Sequence, residues 1–184
     1  MTARAQPRTM PAMTIETIHP AVRVGHVHLR VSDLDRAIAF YRDVLGFEVP
    51  LDLRDVGIPA VFLAAGDYHH HVALNTFESE GGTPAPAGHT GLFHVAIRYP
   101  TRVALADALR RLVDSRIPLT GASDHGVSIA LYLKDPDGNG IELYWDRPEE
   151  EWPRPPDGHG VAMFTEPVDV QALLAQAPEP VSGT

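Results

Sequence analysis

Residues 24–46 read VGHVHLRVSDLDRAIAFYRDVLG, and the change of period inside this stretch decides the fold. In VGHVHLRV, Val27, Leu29 and Val31 fall on one face, with His26, His28 and Arg30 on the other. That alternation belongs to a strand covered on one side only. From Leu34 the spacing turns helical: Leu34, Ala37, Ile38, Tyr41, Val44 and Leu45 form one face. The flanking residues predict Ser32 as N-cap, with Asp35 three residues on, and Gly46 just past the end. Three strand-like runs follow, FEVPLDL (47–53), PAVFLAA (59–65) and HHVALNTF (70–77), the last two joined by a hairpin-like turn at Gly66-Asp67. The unit is β-α-β-β-β.

The order then recurs. Beyond a Gly- and Pro-rich loop (78–91), GLFHVAIRY (91–99) sets His94, Ala96 and Arg98 opposite Val95, Ile97 and Tyr99. VALADALRRLV (103–113) carries Leu105, Ala108, Leu109, Leu112 and Val113 on one helical face, and SIALYLK (128–134), the turn DPDGNG (135–140) and IELYW (141–145) close the unit. His26 and His94 lie 68 residues apart, and Leu45 and Val113 keep the same offset. A period this long, occurring twice, indicates a duplication related by pseudo-twofold symmetry rather than a solenoid. The expected fold class is α+β: two tandem βαβββ modules, about 23–77 and 91–146, form a curved mixed sheet with helices outside and a metal-binding cleft inside. Residues 1–22 read as an N-terminal arm. Residues 147–184 read as a Pro-rich tail whose segment 168–177 either forms a short helix, covering the core or a partner subunit through Val170, Leu173 and Leu174, or frays.

Bulk composition narrows the function. A net charge of −9 and a pI near 5.5 argue against nucleic acid and anionic membrane surfaces, which attract basic patches. No apolar run is long enough to span a bilayer, and the prolines and polar residues near the start do not form a secretory h-region; the expectation is a soluble, cytoplasmic protein acting on a small molecule. With no cysteine and ten histidines, any metal must be held by nitrogen and oxygen. The polar strand faces offer equivalent histidines, His26 and His94, and Glu142 shares the polar face of the last strand. A charged carboxylate on a central strand is costly unless paired or metal-bound. Two imidazoles and one carboxylate also form the facial set that holds a divalent ion with positions open for substrate. Singly, each has an alternative: a strand histidine bonded to a carbonyl, or Glu142 paired with Arg30 or Arg98.

The segments GHVHLRVSDLDRAIAFYRDVLGF, GLFHVAIRY and LYLKDPDGNGIELYW resemble the vicinal oxygen chelate superfamily, which contains glyoxalase I, fosfomycin-resistance proteins and extradiol catechol dioxygenases. The resemblance spans residues 24–146 and implies a metal between paired modules, held by His26, His94 and Glu142. Glyoxalase I carries a fourth, carboxylate ligand where this chain has Ala73, so the resemblance points instead to the open iron site of the extradiol, catechol 2,3-type dioxygenases. Three more positions match that branch: His70 as acid/base, Tyr132 as hydrogen-bond donor to the substrate, and His125 as a further pocket histidine, although its spacing to Glu142 is shorter than usual. Strict alternation selects His71 rather than His70 for the cleft, unless a bulge begins the strand, and the HHH run also reads as an exposed hairpin end.

The resemblance implies Fe(II), with Mn(II) or another divalent ion as a substitute, and an aromatic diol and O2 as substrates. Extradiol enzymes often carry two module pairs and this chain has one; its smaller, more open pocket implies a homodimer or higher homo-oligomer. The alternatives are another metal-dependent enzyme of the superfamily, a glyoxalase-like isomerase or lyase or a thiol transferase, and a non-catalytic small-molecule binding or resistance protein.

Overall fold

The computed structural model describes residues 17–179. Its first sheet has the order β1 (Val27–Arg30), β4 (Val72–Asn75), β3 (Ala60–Ala64), β2 (Glu48–Asp52). The second has the order β5 (Val95–Arg98), β8 (Gly140–Asp146), β7 (Ser128–Lys134), β6 (Gly121–Asp124), β9 (Glu166–Pro167). In each sheet the strand before the helix pairs in parallel with the last strand of its module, β1 with β4 and β5 with β8. The result is two mixed sheets of four and five strands in an α+β arrangement. The expected curved mixed sheet is made of these two, one per module, since among the described residues no ladder joins β1 to β5. Strand β6 was not marked by the sequence, since GASD lacks apolar alternation, and β9 comes from the tail.

Helix α1 (Leu34–Ile38) is capped by Asp33, whose carboxylate accepts from Arg36 N at 3.0 Å. Ser32, the expected cap, instead donates its hydroxyl to Asp137 at 2.6 Å. Past Ile38 the chain widens into a π-helical turn, Ala39–Val44, with Leu45 N donating to Phe40 O. One extra residue per turn brings Phe40 inward beside Tyr41 and leaves Val44 only half-buried. Gly46 follows at φ +85°, the left-handed region in which a side chain is strained. Helix α2 (Arg102–Asp114), capped by Thr101, buries Leu105, Ala106, Ala108, Leu109 and Leu112. Val113 was expected on that face but is exposed, in the last turn of the helix just after the buried Leu112. In the tail, α3 (Val170–Leu174) is capped by Asp169, packs on α2 and buries Leu173 completely. No helix among the described residues is long and apolar enough to cross a membrane.

The helices lie on one side of the sheets, and their side chains merge with Leu29, Leu63, Leu74, Leu131 and Leu143 into one core shared by both modules. The other side is open: His26, His28, Arg30, Ala96 and Arg98 are all exposed. A polar seam also joins the modules. Asp135, 5% exposed, accepts from Tyr41 Oη at 3.0 Å, from the backbone N–H groups of Asp137 and Asn139, and from Asn139 Nδ2. Asp137 accepts from Ser32 and Arg36. The DPDGN turn of the second module is thereby clamped to the helix start of the first.

Candidate metal centre

Glu142 lies in the middle of β8, between Ala96 on β5 and Tyr132 on β7. His94 immediately precedes β5, on the same side of the sheet. Its Nε2 lies 2.9 Å from Glu142 Oε2, with side chains 31% and 13% exposed. Two ligands about 2.1 Å from one ion and at right angles are about 3 Å apart, so the donor atoms of His94 and Glu142 fit adjacent corners of a coordination sphere. Gly140 makes this approach possible. A Cβ there would collide with the Phe93 carbonyl oxygen and reach His94 Cβ at 3.0 Å. His94 Nδ1 is buried without a partner. Arg30 and Arg98 do not neutralise Glu142; they pair with Glu78 and Asp146.

A polar chain runs on from Glu142. Tyr132 Oη is 3.2 Å from Glu142 Oε1 and 2.8 Å from His125 Nε2, while His125 Nδ1 is 2.9 Å from the Phe164 carbonyl. A carbonyl only accepts, so Nδ1 carries a proton. In a neutral His125, Nε2 is then an acceptor, and the single Tyr132 proton faces two acceptors. Partial burial and the adjacent Glu142 carboxylate push the Tyr132 hydroxyl up to about 12, which keeps it a donor at neutral pH. The Phe164 contact was not legible in the sequence, because a backbone carbonyl leaves no residue signature and the tail had been set apart from the core.

The first sheet holds the other candidates. The His70 ring lies 4.4 Å from that of His26, centroid to centroid, and packs edge-on against Phe62 at 4.9 Å. Desolvation, then the neighbouring His26, holds the His70 imidazole below the ordinary histidine value. His71 turns the other way: its Nδ1 accepts from Ala65 N at 3.3 Å and its ring meets Tyr68. Strand β4 starts only at Val72, so His70 escapes the alternation that had favoured His71. Ala73 is fully buried, in register with His28 and Phe62, and offers no ligand. His28 Nε2 accepts from Asn75 Nδ2 at 2.8 Å.

The six candidates therefore form two groups: His94, Glu142, Tyr132 and His125 on the second sheet, His26 and His70 on the first. Among the described residues, no three histidine or carboxylate side chains converge closely enough to hold an ion. The expected triad fits a metal in two of its members, and one chain does not bring the third to them.

The model of the Glyoxalase/Bleomycin resistance protein/Dioxygenase superfamily matches residues 23–143. The chain is 41% identical over 162 residues to a catechol-2,3-dioxygenase of Bacillus subtilis, covering 88% of this chain and 54% of that protein. It is 38% identical to a biphenyl-2,3-diol 1,2-dioxygenase 3 of Rhodococcus globerulus, covering 70% and 67%. Thus it spans about half the length of the first relative and two thirds of the second. Among solved structures, a glyoxalase/dioxygenase from Nostoc punctiforme superposes with a TM-score of 0.59 at 21% identity, over 72% of this chain and 98% of that one, a likeness of fold.

Proposed function

Because the chain belongs to the Glyoxalase/Bleomycin resistance protein/Dioxygenase superfamily, we propose that it is an Fe(II)-dependent extradiol dioxygenase. On this reading it opens the ring of a catechol-type diol beside its two hydroxyls, using O2, with His26, His94 and Glu142 as metal ligands. The observation that carries the reading is the chain His94, Glu142, Tyr132, His125, linked at 2.9, 3.2 and 2.8 Å. It sets a two-ligand metal edge beside a hydroxyl donor and a histidine. The 41% identity to a catechol-2,3-dioxygenase and the absence of a ligand at Ala73 favour this branch over a four-ligand isomerase site.

The metal, when bound, supplies the redox chemistry and the chelation of the diol. Tyr132, protonated at neutral pH, turns its one proton from Glu142 or His125 to a substrate oxygen, and His125, held by the Phe164 carbonyl, keeps the hydroxyl oxygen in place beside the metal edge. His70 is the acid/base: with its imidazole held below the ordinary value, it is neutral near pH 7 and ready to take a proton. The test is anaerobic loading with Fe(II), followed by air and a panel of catechols, with O2 uptake and the yellow ring-opened product as readouts. Failure of every catechol to consume O2, with iron retained, overturns the assignment.

A further inference from the structure

His94 and Tyr132 also line a cavity of about 360 Å3, together with Phe93, Gly121, Lys134 and Gly140. Small-molecule sites run from about 300 to 1,000 Å3, so this one has the size of a small-ligand site. Strand register explains its shape. Gly121 pairs with Tyr132, Tyr132 with Glu142, and Lys134 with Gly140. Residues directly opposite one another share a face of the sheet, as do residues two apart on one strand. Gly121, Tyr132, Lys134, Gly140 and Glu142 therefore all lie on the open face. Two of these positions are glycines, so backbone alone floors the strip beside Tyr132 and Lys134. A Cβ on Gly121 would meet Tyr132 Cδ2 at 3.7 Å, an ordinary contact; the missing side chain there leaves space rather than relieving a clash. Phe93, 88% exposed, adds an apolar wall next to His94.

Lys134 is the one lysine in the chain. Its Nζ donates to the Gly138 carbonyl at 3.1 Å, a neutral acceptor. The carboxylates that follow it in sequence are engaged elsewhere: Asp135 faces Tyr41 and Asn139 in the interior, and Asp137 accepts from Ser32 and Arg36. Among the described residues Lys134 forms no ion pair, whereas Arg30 and Arg98 on the same side of the sheets are matched by Glu78 and Asp146. In a chain of net charge −9, an uncompensated cation on a cavity wall creates a local field that favours an anion. Lys134 stands two residues beyond Tyr132, about 7 Å along the strand. A benzene ring with a one- or two-carbon arm spans a distance of that order.

We propose that Lys134 is the specificity determinant of this site, and that the substrate is an aromatic diol whose ring carries a short arm ending in a carboxylate. The proposal rests on the dioxygenase reading and adds the class of diol. The diol oxygens lie at the metal edge with Tyr132 on one of them, and the ring packs beside Phe93. The arm crosses the strip left open by Gly121 and Gly140. Its carboxylate then replaces the Gly138 carbonyl as the acceptor of Lys134 Nζ. That exchange sets a charged acceptor in place of a neutral one, and a charge-assisted hydrogen bond is the stronger of the two. A neutral arm of the same length fills the same space without this gain, so the site distinguishes acid from ester by charge rather than by shape.

The test compares matched pairs on the iron-loaded full chain: 3,4-dihydroxyphenylacetate and 3-(2,3-dihydroxyphenyl)propionate, each against its methyl ester. O2 uptake gives kcat and KM, and calorimetry under anaerobic conditions gives binding of the same four compounds. Wild type should favour at least one acid over its ester by about 10-fold or more in kcat/KM, with the preference shrinking as salt rises. Lys134→Met should raise KM for that acid about 10-fold, through KM rather than kcat, and bring acid and ester level. Lys134→Arg should restore most of the preference, which separates loss of the charge from loss of the fold. Gly121→Val should cost the arm-bearing diols more than catechol itself. Esters cleaved as well as acids by wild type, or an acid preference that survives Lys134→Met, overturns the proposal and leaves the dioxygenase reading standing. Acid binding that depends on Lys134 without cleavage of any diol overturns the dioxygenase reading alone. Acids neither bound nor cleaved overturn both.

Discussion

Replacing Tyr41 by Phe removes one hydroxyl from the seam between the modules and almost nothing else. That hydroxyl is completely buried and donates to Asp135 Oδ2 at 3.0 Å. A hydrogen bond to a charged acceptor contributes about 1.5–3 kcal/mol. Asp135 Oδ2 keeps its second donor, Asn139 Nδ2 at 2.9 Å, so no acceptor is orphaned and the cost should fall at the low end, about 1.5–2 kcal/mol. Asp135→Ala is a harsher change: it strands the Tyr41 hydroxyl in the core and frees two backbone N–H groups, for about 3–5 kcal/mol. Combining the two removes the stranded hydroxyl, so the double variant should be less destabilised than the sum of the singles by about 1–2 kcal/mol. The assay is urea unfolding of the metal-free protein, followed by the fluorescence of Trp145 and Trp152 and by far-ultraviolet circular dichroism. At a slope of about 2 kcal/mol/M, Tyr41→Phe should lower the midpoint by about 0.7–1 M. Both tryptophans lie beyond the first module, so a fall seen equally by both probes shows that the seam couples the modules. A Tyr41→Phe midpoint within about 0.2 M of wild type, or strict additivity in the double variant, refutes the reasoning.

Gly140→Ala places a methyl group against the Phe93 carbonyl and His94 Cβ; it should displace His94 and weaken iron binding by about 10-fold or more, measured by competition with a chelator, and unchanged affinity would exclude Gly140 as the element that positions His94. Leu173→Ala empties a fully buried site under α3 and should cost about 3–4 kcal/mol in the same urea assay, whereas a cost below about 1 kcal/mol would show that the tail helix does not seal the core. Burial pushes Tyr99 up to about 12, and burial with the Glu142 carboxylate does the same for Tyr132. Both exceed the unfolded value near 10, so the fold retains these protons longer, and the stability they contribute is complete below pH 10 and lost as pH rises towards 12. Absorbance titration at 295 nm should show them ionising late, with one late proton removed by Tyr132→Phe; ionisation of all five tyrosines together near pH 10 in the folded protein would contradict this.

Much of the fold was legible in the primary sequence because its signals are local. Alternation in VGHVHLRV and FHVAIR, helical spacing after each, and turn residues at Gly66-Asp67 and DPDGNG depend on neighbours within a few positions. The local signal failed where geometry departs from the ideal period or a residue has a distant partner. The π-helical turn at Ala39–Val44 exchanged Phe40 for Val44 in the core, and Asp137 drew Ser32 away from its capping role. Strand β6 forms because β7 and β9 flank it, not because GASD favours a strand. At the candidate site, the sequence placed His94, Glu142 and Tyr132 on one face, since strand period fixes the face, and the register of β7 against β8 then set Tyr132 opposite Glu142.

What the sequence determined by itself was the chemistry available: nitrogen and oxygen donors without thiols, two equivalent histidines 68 residues apart, and no ligand at Ala73. What only the tertiary structure decided was which of these groups share one space within a chain. It packed the His70 ring against His26 while turning the His71 ring to Ala65 and Tyr68, recruited the Phe164 carbonyl to hold His125, and kept His26 away from His94 and Glu142. Period specifies the side of a sheet on which a residue lies. The distance between two sheets depends on how their helices and turns pack, and here the clamp of Asp135 and Asp137 on the first helix sets that distance.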